Sequence, residues 1–179
     1  DAELGTVPKS DKYFLGKLDF TNGLSRSSFR TEHGFAQSLR ESLNVLQSVK
    51  FLPSGFAQTI IIDAKNFDRS HYEFEYIRSE FLGEVRCIVF DVTPKDKKAP
   101  GAFLGRIWVE DRDYQIVRFN GTFTEPEAAK TYFHFDSWRE QMGPRLWLPA
   151  YVYGEESDVR VGLHSRKLHF KAQTRLWGY

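Results

Sequence analysis

One cysteine among 179 residues leaves no internal disulfide to hold this chain together. Cys87 lies at strand spacing from Val85 and Val89, the place of a small buried hydrophobe and not of a redox centre. A single thiol does not decide the compartment. Charge of one sign is also scarce: 25 basic against 24 acidic residues leave a net charge of +1. No global field therefore favours nucleic acid or an anionic membrane. No apolar run approaches the roughly 20 residues that cross a bilayer, so no transmembrane segment is expected in this chain. Catalytic signatures are missing too. No glycine-rich phosphate loop follows a strand, and Ser137 lies outside any G-x-S-x-G elbow. Glu110-Asp111 and Glu155-Glu156 are adjacent pairs, which a strand sends to opposite faces. An enzyme is not expected, nor a cofactor or a metal. Repeats and low-complexity tracts are absent.

Aromatics, by contrast, are plentiful at 16% of the chain. They concentrate in alternating segments, Phe81 to Val92, Phe103 to Glu110, Tyr114 to Phe123, Thr131 to Glu140 and Leu146 to Glu155, separated by short turn-like breaks. Consecutive strands on short loops form an antiparallel meander, since parallel strands need long crossovers. Tyr72 to Phe81 alternates as a further strand, with Tyr72, Phe74, Tyr76, Arg78 and Glu80 on one side, and Gly83 breaks it. Asn22-Gly23, both tolerant of positive φ, predict a hairpin between Tyr13 to Phe20 and Leu24 to Arg30. Phe35, Leu39, Leu43, Leu46 and Val49 recur at helical spacing, and Pro53 and Gly55 stop that helix. Phe56 to Asp63 fits either a buried strand or an irregular crossing segment. Pro94 to Gly101 is a charged, exposed loop. Residues 1–11 form a polar tether before a single domain over 12–179. The fold class is α+β: a curved, mainly antiparallel sheet, an open half-barrel, with one or few helices on its concave side.

The hairpin around Asp111-Arg112 allows two registers, with Trp108 opposite Gln115 or opposite Val117. Both put Leu104, Arg106, Trp108, Val117, Phe119 and Phe123 on one face and Ile107, Val109, Ile116 and Arg118 on the other. The first face carries the larger aromatic area and a cation. Leu104, Arg106, Trp108, Val117 and Phe119 are therefore the candidate ligand-binding residues, with Arg106 placed for an acidic headgroup. A core packed under the helix would use the same residues. Arg78, Arg86, Arg106, Arg118 and Arg139 fit either anion binding within a concave sheet or ladders with Glu80, Glu84, Glu110 and Glu140. His134 and Asp136 share a strand face, as two metal ligands would, or as a hydrogen-bonded pair. Asn120-Gly121-Thr122 matches a glycosylation acceptor inside a strand, and a bulge is expected there.

The order of these strands resembles a known family. Leu82 to Val92 is followed by Gly105-Arg106-Ile107-Trp108-Val109-Glu110, an acidic turn, Ile116-Val117-Arg118-Phe119, and later Trp147-Leu148-Pro149. Over roughly Tyr72 to Tyr153 this is similar to the bacterial lipoprotein-carrier superfamily, LolA/LolB-like, with its RseB-like sensor domains. The resemblance implies an open half-barrel holding an acyl chain, lipid or lipoprotein anchor on its concave face, or a partner-binding envelope sensor. It also implies export to the periplasm or cell envelope. The start at Asp1 instead of Met agrees with signal-peptide removal, and Asp1 in place of a first-position Cys gives no sign of lipidation.

Overall fold

A computed structural model of the chain describes residues 16–19, 25–28, 66–99, 102–124, 134–161 and 166–179. The chain divides into two compact units, Asp1–Leu43 and Asn44–Tyr179. In the first, β1 (Gly16–Asp19) and β2 (Ser25–Ser28) pair antiparallel, with Asp19 opposite Ser25. This is the hairpin that Asn22-Gly23 predicts, with shorter strands. The helix expected over Phe35 to Lys50, the tether and the Phe56 to Asp63 segment lie outside the described residues.

The second unit contains a seven-stranded antiparallel sheet in sequential order. Its strands are β3 (Tyr72–Leu82), β4 (Val85–Pro94), β5 (Phe103–Glu110), β6 (Ile116–Phe123), β7 (His134–Gly143), β8 (Leu146–Val161) and β9 (Arg166–Arg175). The first and last strands do not pair, so the sheet stays open. Among the described residues there is no helix. β9 is absent from the expectations above, although Leu168, Phe170, Ala172 and Thr174 alternate with polar residues; the basic residues between them hide the period.

Two faces follow from the register. Val92 opposite Gly105, Phe90 opposite Ile107, Ile107 opposite Phe119 and Phe103 opposite Phe123 put these side chains on one face. There Tyr72, Val92, Phe103, Ile107, Phe119, Phe123 and Phe135 form a buried cluster, with Phe67, Phe74 and Phe90 packed against it. Ring centroids lie 5.2 to 6.2 Å apart from Phe103 through Phe119 and Phe123 to Phe135, mostly edge to face, the arrangement the ring quadrupole favours. The opposite face carries a smaller cluster of Cys87, Val89, Trp108 and Val117, joined by Ile77, Leu82, Val85 and Trp147.

Bulges decide which residue goes to which face. Tyr76 pairs with Phe90 but Arg78 with Val89, so Ile77 is an extra residue in β3. Trp108 pairs with Arg118 but Val109 with Ile116, so Val117 is extra in β6. Trp138 pairs with Tyr151 but Arg139 with Pro149, so Ala150 is extra in β8. These three shifts fall on one row across the sheet, apart from two further ones at Gln141/Gly143 and Glu156/Val159, and each bends its strand and increases the local twist. They correct the face assignment from sequence. Tyr72, Phe74 and Tyr76 lie on the phenylalanine face, while Arg78 and Glu80 lie on the other. On the β5–β6 hairpin, Phe119 and Phe123 leave the face of Trp108 and Arg118 joins it.

Asn120-Gly121-Thr122 is regular ladder and not a bulge. Gly121 faces Gly105 at a close approach of the two backbones. A Cβ on Gly105 would stand 2.2 Å from the Asn120 carbonyl oxygen, and one on Gly121 2.3 Å from that of Leu104. Only glycine fits this crossing.

Candidate functional site

Of the five candidate residues, the fold brings four to one face. Leu104 is exposed, Arg106 half-buried, and Trp108 and Val117 buried, all on the face opposite the phenylalanines. Phe119 is fully buried within the phenylalanine cluster. The sequence reading missed this split because strict alternation carries Val117 and Phe119 together, and only the extra residue at Val117 separates them.

The arginines of the first face are engaged. Arg106 donates from Nε and Nη2 to the two oxygens of Asp91, at 2.6 and 2.9 Å. That fork holds the Asp91 carboxyl below its usual range. Arg118 donates in the same bidentate way to Asp136, at 2.8 and 2.7 Å. Its guanidinium lies 4.3 Å from the ring centre of Trp108 and 4.1 Å from that of Trp138. This is a cation held between two aromatic faces. Trp108 Nε1–H donates to Glu80, which also accepts from Arg78 Nε at 2.7 Å. These bonds, that from Arg78 foremost, lower the Glu80 pKa. Arg86 pairs with Asp111 at 3.2 Å. Four of the five strand arginines are thus ion-paired, but only Arg106 and Arg118 across strands, and with aspartates where glutamates were expected; Arg78 pairs within its own strand and Arg86 with the β5–β6 turn. Both oxygens of Asp136 accept from Arg118, and no group of three metal-ligating side chains occurs among the described residues.

Arg139 differs. It lies beside the phenylalanine face with its guanidinium 5.6 Å from the ring centre of Phe119. Its buried Nε has no hydrogen-bond partner, nor has the buried hydroxyl of Ser137 two residues before it. Burial pushes the Arg139 pKa down. Neither atom's lack of a partner is legible in the sequence.

Two other clusters have structural explanations. The buried Glu110 carboxylate accepts the backbone N–H groups of Arg112, Asp113 and Gln115 at 2.8 to 2.9 Å, which closes the β5–β6 turn. Asp68, Ser70 and His71 sit on an exposed turn. Asp68 Oδ1 and Ser70 Oγ approach the same ring nitrogen, Nδ1, at 2.8 and 3.0 Å. A nucleophilic triad needs both ring nitrogens, so this is a turn clasp and no proton relay. Hydrogen bonds from Ser70 and His71 hold the Asp68 carboxyl well below its ordinary range. An open cleft of about 500 Å³, lined by Glu140, Ala150, Tyr151, Arg175, Leu176 and Trp177, lies where β8 begins and β9 ends.

Comparison with protein-family models, curated proteins and solved structures finds no match to this chain.

Proposed function

We propose that the chain is a non-enzymatic binding module of the bacterial envelope that holds a lipid, acyl chain or lipoprotein anchor against its phenylalanine face. The LolA/LolB-like order of motifs suggested this class. The observation that carries it is the division of labour between the two faces of one open sheet. One face ties its charges to one another, and the other gathers a continuous, buried aromatic cluster with, among the described residues, the Arg139 guanidinium beside it. A site for an alkyl chain needs apolar shape more than placed chemistry. Three bulges on one row support the curvature of a half-barrel, with the phenylalanines on its inner wall and a helix over the concave side. Phe119 remains a ligand-facing residue in this reading. Leu104, Arg106, Trp108 and Val117 form the outer face, and Arg139 takes the role first given to Arg106, meeting an acidic headgroup.

A protein-binding or sensor module of the envelope is the second reading. It is favoured by the rings of the phenylalanine face, which pack on one another as in a filled core. Native mass spectrometry of the protein purified from a bacterial envelope fraction separates the two. Lipid adducts, reduced in Arg139→Gln, are expected. A bare protein that also ignores a fluorescent fatty acid added after purification sinks the lipid reading and leaves the partner-binding one.

A further inference from the structure

Six large apolar side chains, Phe81, Tyr114, Met142, Leu146, Trp177 and Tyr179, are exposed at one end of the seven-stranded sheet. The meander puts them there. The β3–β4, β5–β6 and β7–β8 turns all fall at that end, and β9 finishes beside the start of β8. The segment after β9 continues along the same rim. Leu176 N–H donates to the Ala150 carbonyl at 2.8 Å, and the Tyr179 hydroxyl donates to that of Pro149.

The three turns are one surface and not three separate tips. Arg86 of β4 pairs with Asp111 of the next turn, whose N–H donates to the Arg86 carbonyl at 3.2 Å. Arg145 of the β7–β8 turn pairs with Asp113 at 2.7 Å. In both pairs the cation is outermost. The side chain of Arg86 is 63% exposed against 26% for Asp111, and that of Arg145 80% against 32% for Asp113. Arg112 is exposed between them. Aspartates therefore sit inboard and guanidiniums face out, although Glu84 at the β3–β4 turn adds an exposed acid.

Backbone strain falls on the same rim. Tyr114 and Arg145 adopt φ of 58° and 60°, the left-handed region where glycine is favoured. A turn selected for folding alone would place glycine at both. An aromatic ring and a guanidinium held there at a conformational cost point to a use for those side chains.

We propose that this rim docks on the surface of a phospholipid membrane, the apolar side chains entering the interface and Arg86, Arg112 and Arg145 meeting lipid phosphates. Tyrosine, tryptophan and arginine are the residues that favour the boundary between headgroups and acyl chains. A joined rim carrying several exposed apolar side chains suits a deformable lipid surface, and the outward guanidiniums are complementary to phosphate. The net charge of +1 gives no field over the whole protein, and at the rim Arg86, Arg112 and Arg145 are balanced by Asp111, Asp113 and Glu84, so the attraction rests on guanidiniums standing outermost.

The test is cosedimentation of the full chain with phosphatidylglycerol–phosphatidylcholine vesicles at low ionic strength. Binding is expected, with a blue shift in tryptophan emission from Trp177, which is 72% exposed in the free protein. Phe81→Ser with Leu146→Ser should weaken binding by roughly tenfold or more, with the melting temperature kept. Arg112→Glu with Arg145→Glu should abolish the preference for phosphatidylglycerol. Tyr114→Gly separates docking from folding: it relieves the strained φ, so stability should hold while vesicle binding falls. Wild-type protein left in the supernatant overturns the proposal. So does binding that the rim variants leave unchanged, or equal binding to phosphatidylcholine alone. Lipid adducts seen by native mass spectrometry report the phenylalanine face separately, since the rim substitutions do not touch it.

Discussion

Trp108, Arg118 and Trp138 form one stack across three strands, and its chemistry predicts unequal costs for similar substitutions. Arg118→Lys keeps the charge but loses the fork to Asp136 and the flat contact with both rings. It should lower stability by about 1–2 kcal/mol. Arg118→Leu strands a half-buried carboxylate and should cost about 2–4 kcal/mol. Trp108→Ala also opens a cavity against Cys87, Val89 and Val117, at about 3–5 kcal/mol. Urea denaturation checks all three; a Lys variant without cost would refute the role given to the fork and ring stacking, and one as costly as the Leu variant would refute the share given to charge. Cys87, fully buried, has its thiol pKa pushed up from 9.0 to about 11, first by desolvation. The native thiol should be inert to thiol reagents at pH 8 and react on denaturation. The fold favours the protonated thiol. Its contribution, on the order of 2 kcal/mol, is therefore complete below pH 9 and lost as pH rises from 9 to about 11. Cys87→Ala should flatten that alkaline slope.

Among the elements, the β5–β6 hairpin concentrates the special geometry of the sheet. Gly105 and Gly121 let two backbones approach where a Cβ would meet carbonyl oxygen at 2.2 and 2.3 Å. Gly121→Ala should cost about 3 kcal/mol or more, because backbone on both strands would have to part. A melting temperature within a degree or two of wild type would show that the crossing relaxes freely. The turn depends on Glu110, which satisfies three N–H groups. Glu110→Ala leaves those donors to water or unpaired, at about 1–3 kcal/mol, and hydrogen exchange should quicken first at Arg112, Asp113 and Gln115. The extra residue at Val117 sets the phase of everything after it. Deleting Val117 would remove the bulge and leave Ile116, Arg118 and Phe119 on their present faces, so the phenylalanine core should survive while packing against Cys87, Val89 and Trp108 is lost; a lowered melting temperature with the near-ultraviolet aromatic signal kept is the expected outcome.

At the scale of the whole molecule, the ion-pair face couples stability to acid. Bonding to Arg106 lowers the pKa of Asp91 from its ordinary 3.8, and bonding to Arg78 and Trp108 lowers that of Glu80 from 4.5. Groups with depressed native pKa values stabilise the fold above their ordinary values, and that stability is lost as pH falls through the native ones. The melting temperature should therefore hold down to about pH 5 and drop below pH 4, less steeply in a chain carrying both Asp91→Asn and Glu80→Gln. Both residues lie on the face opposite the phenylalanines, so the acid slope should not depend on added lipid.

The sequence by itself determined the meander. Strands at Tyr72–Leu82, Val85–Pro94 and Phe103–Glu110 follow from period-two alternation and from the turn at Gly83, both local properties of the chain. Asn22-Gly23 marked the first hairpin on the same grounds. Burial of Cys87 was also legible, from its place between two valines. Tertiary structure alone decided the faces. A bulge has no signature in a hydrophobic pattern, yet one extra residue sends every later side chain of its strand to the other side. Ile77 and Val117 thus moved Arg78, Glu80, Arg118, Phe119 and Phe123 from the sides that alternation gives them. Cross-strand partners were hidden for a related reason. Asp91 and Asp136 meet Arg106 and Arg118 only once β4 pairs with β5 and β6 with β7 in register, a relation between residues up to 18 positions apart that no local period encodes.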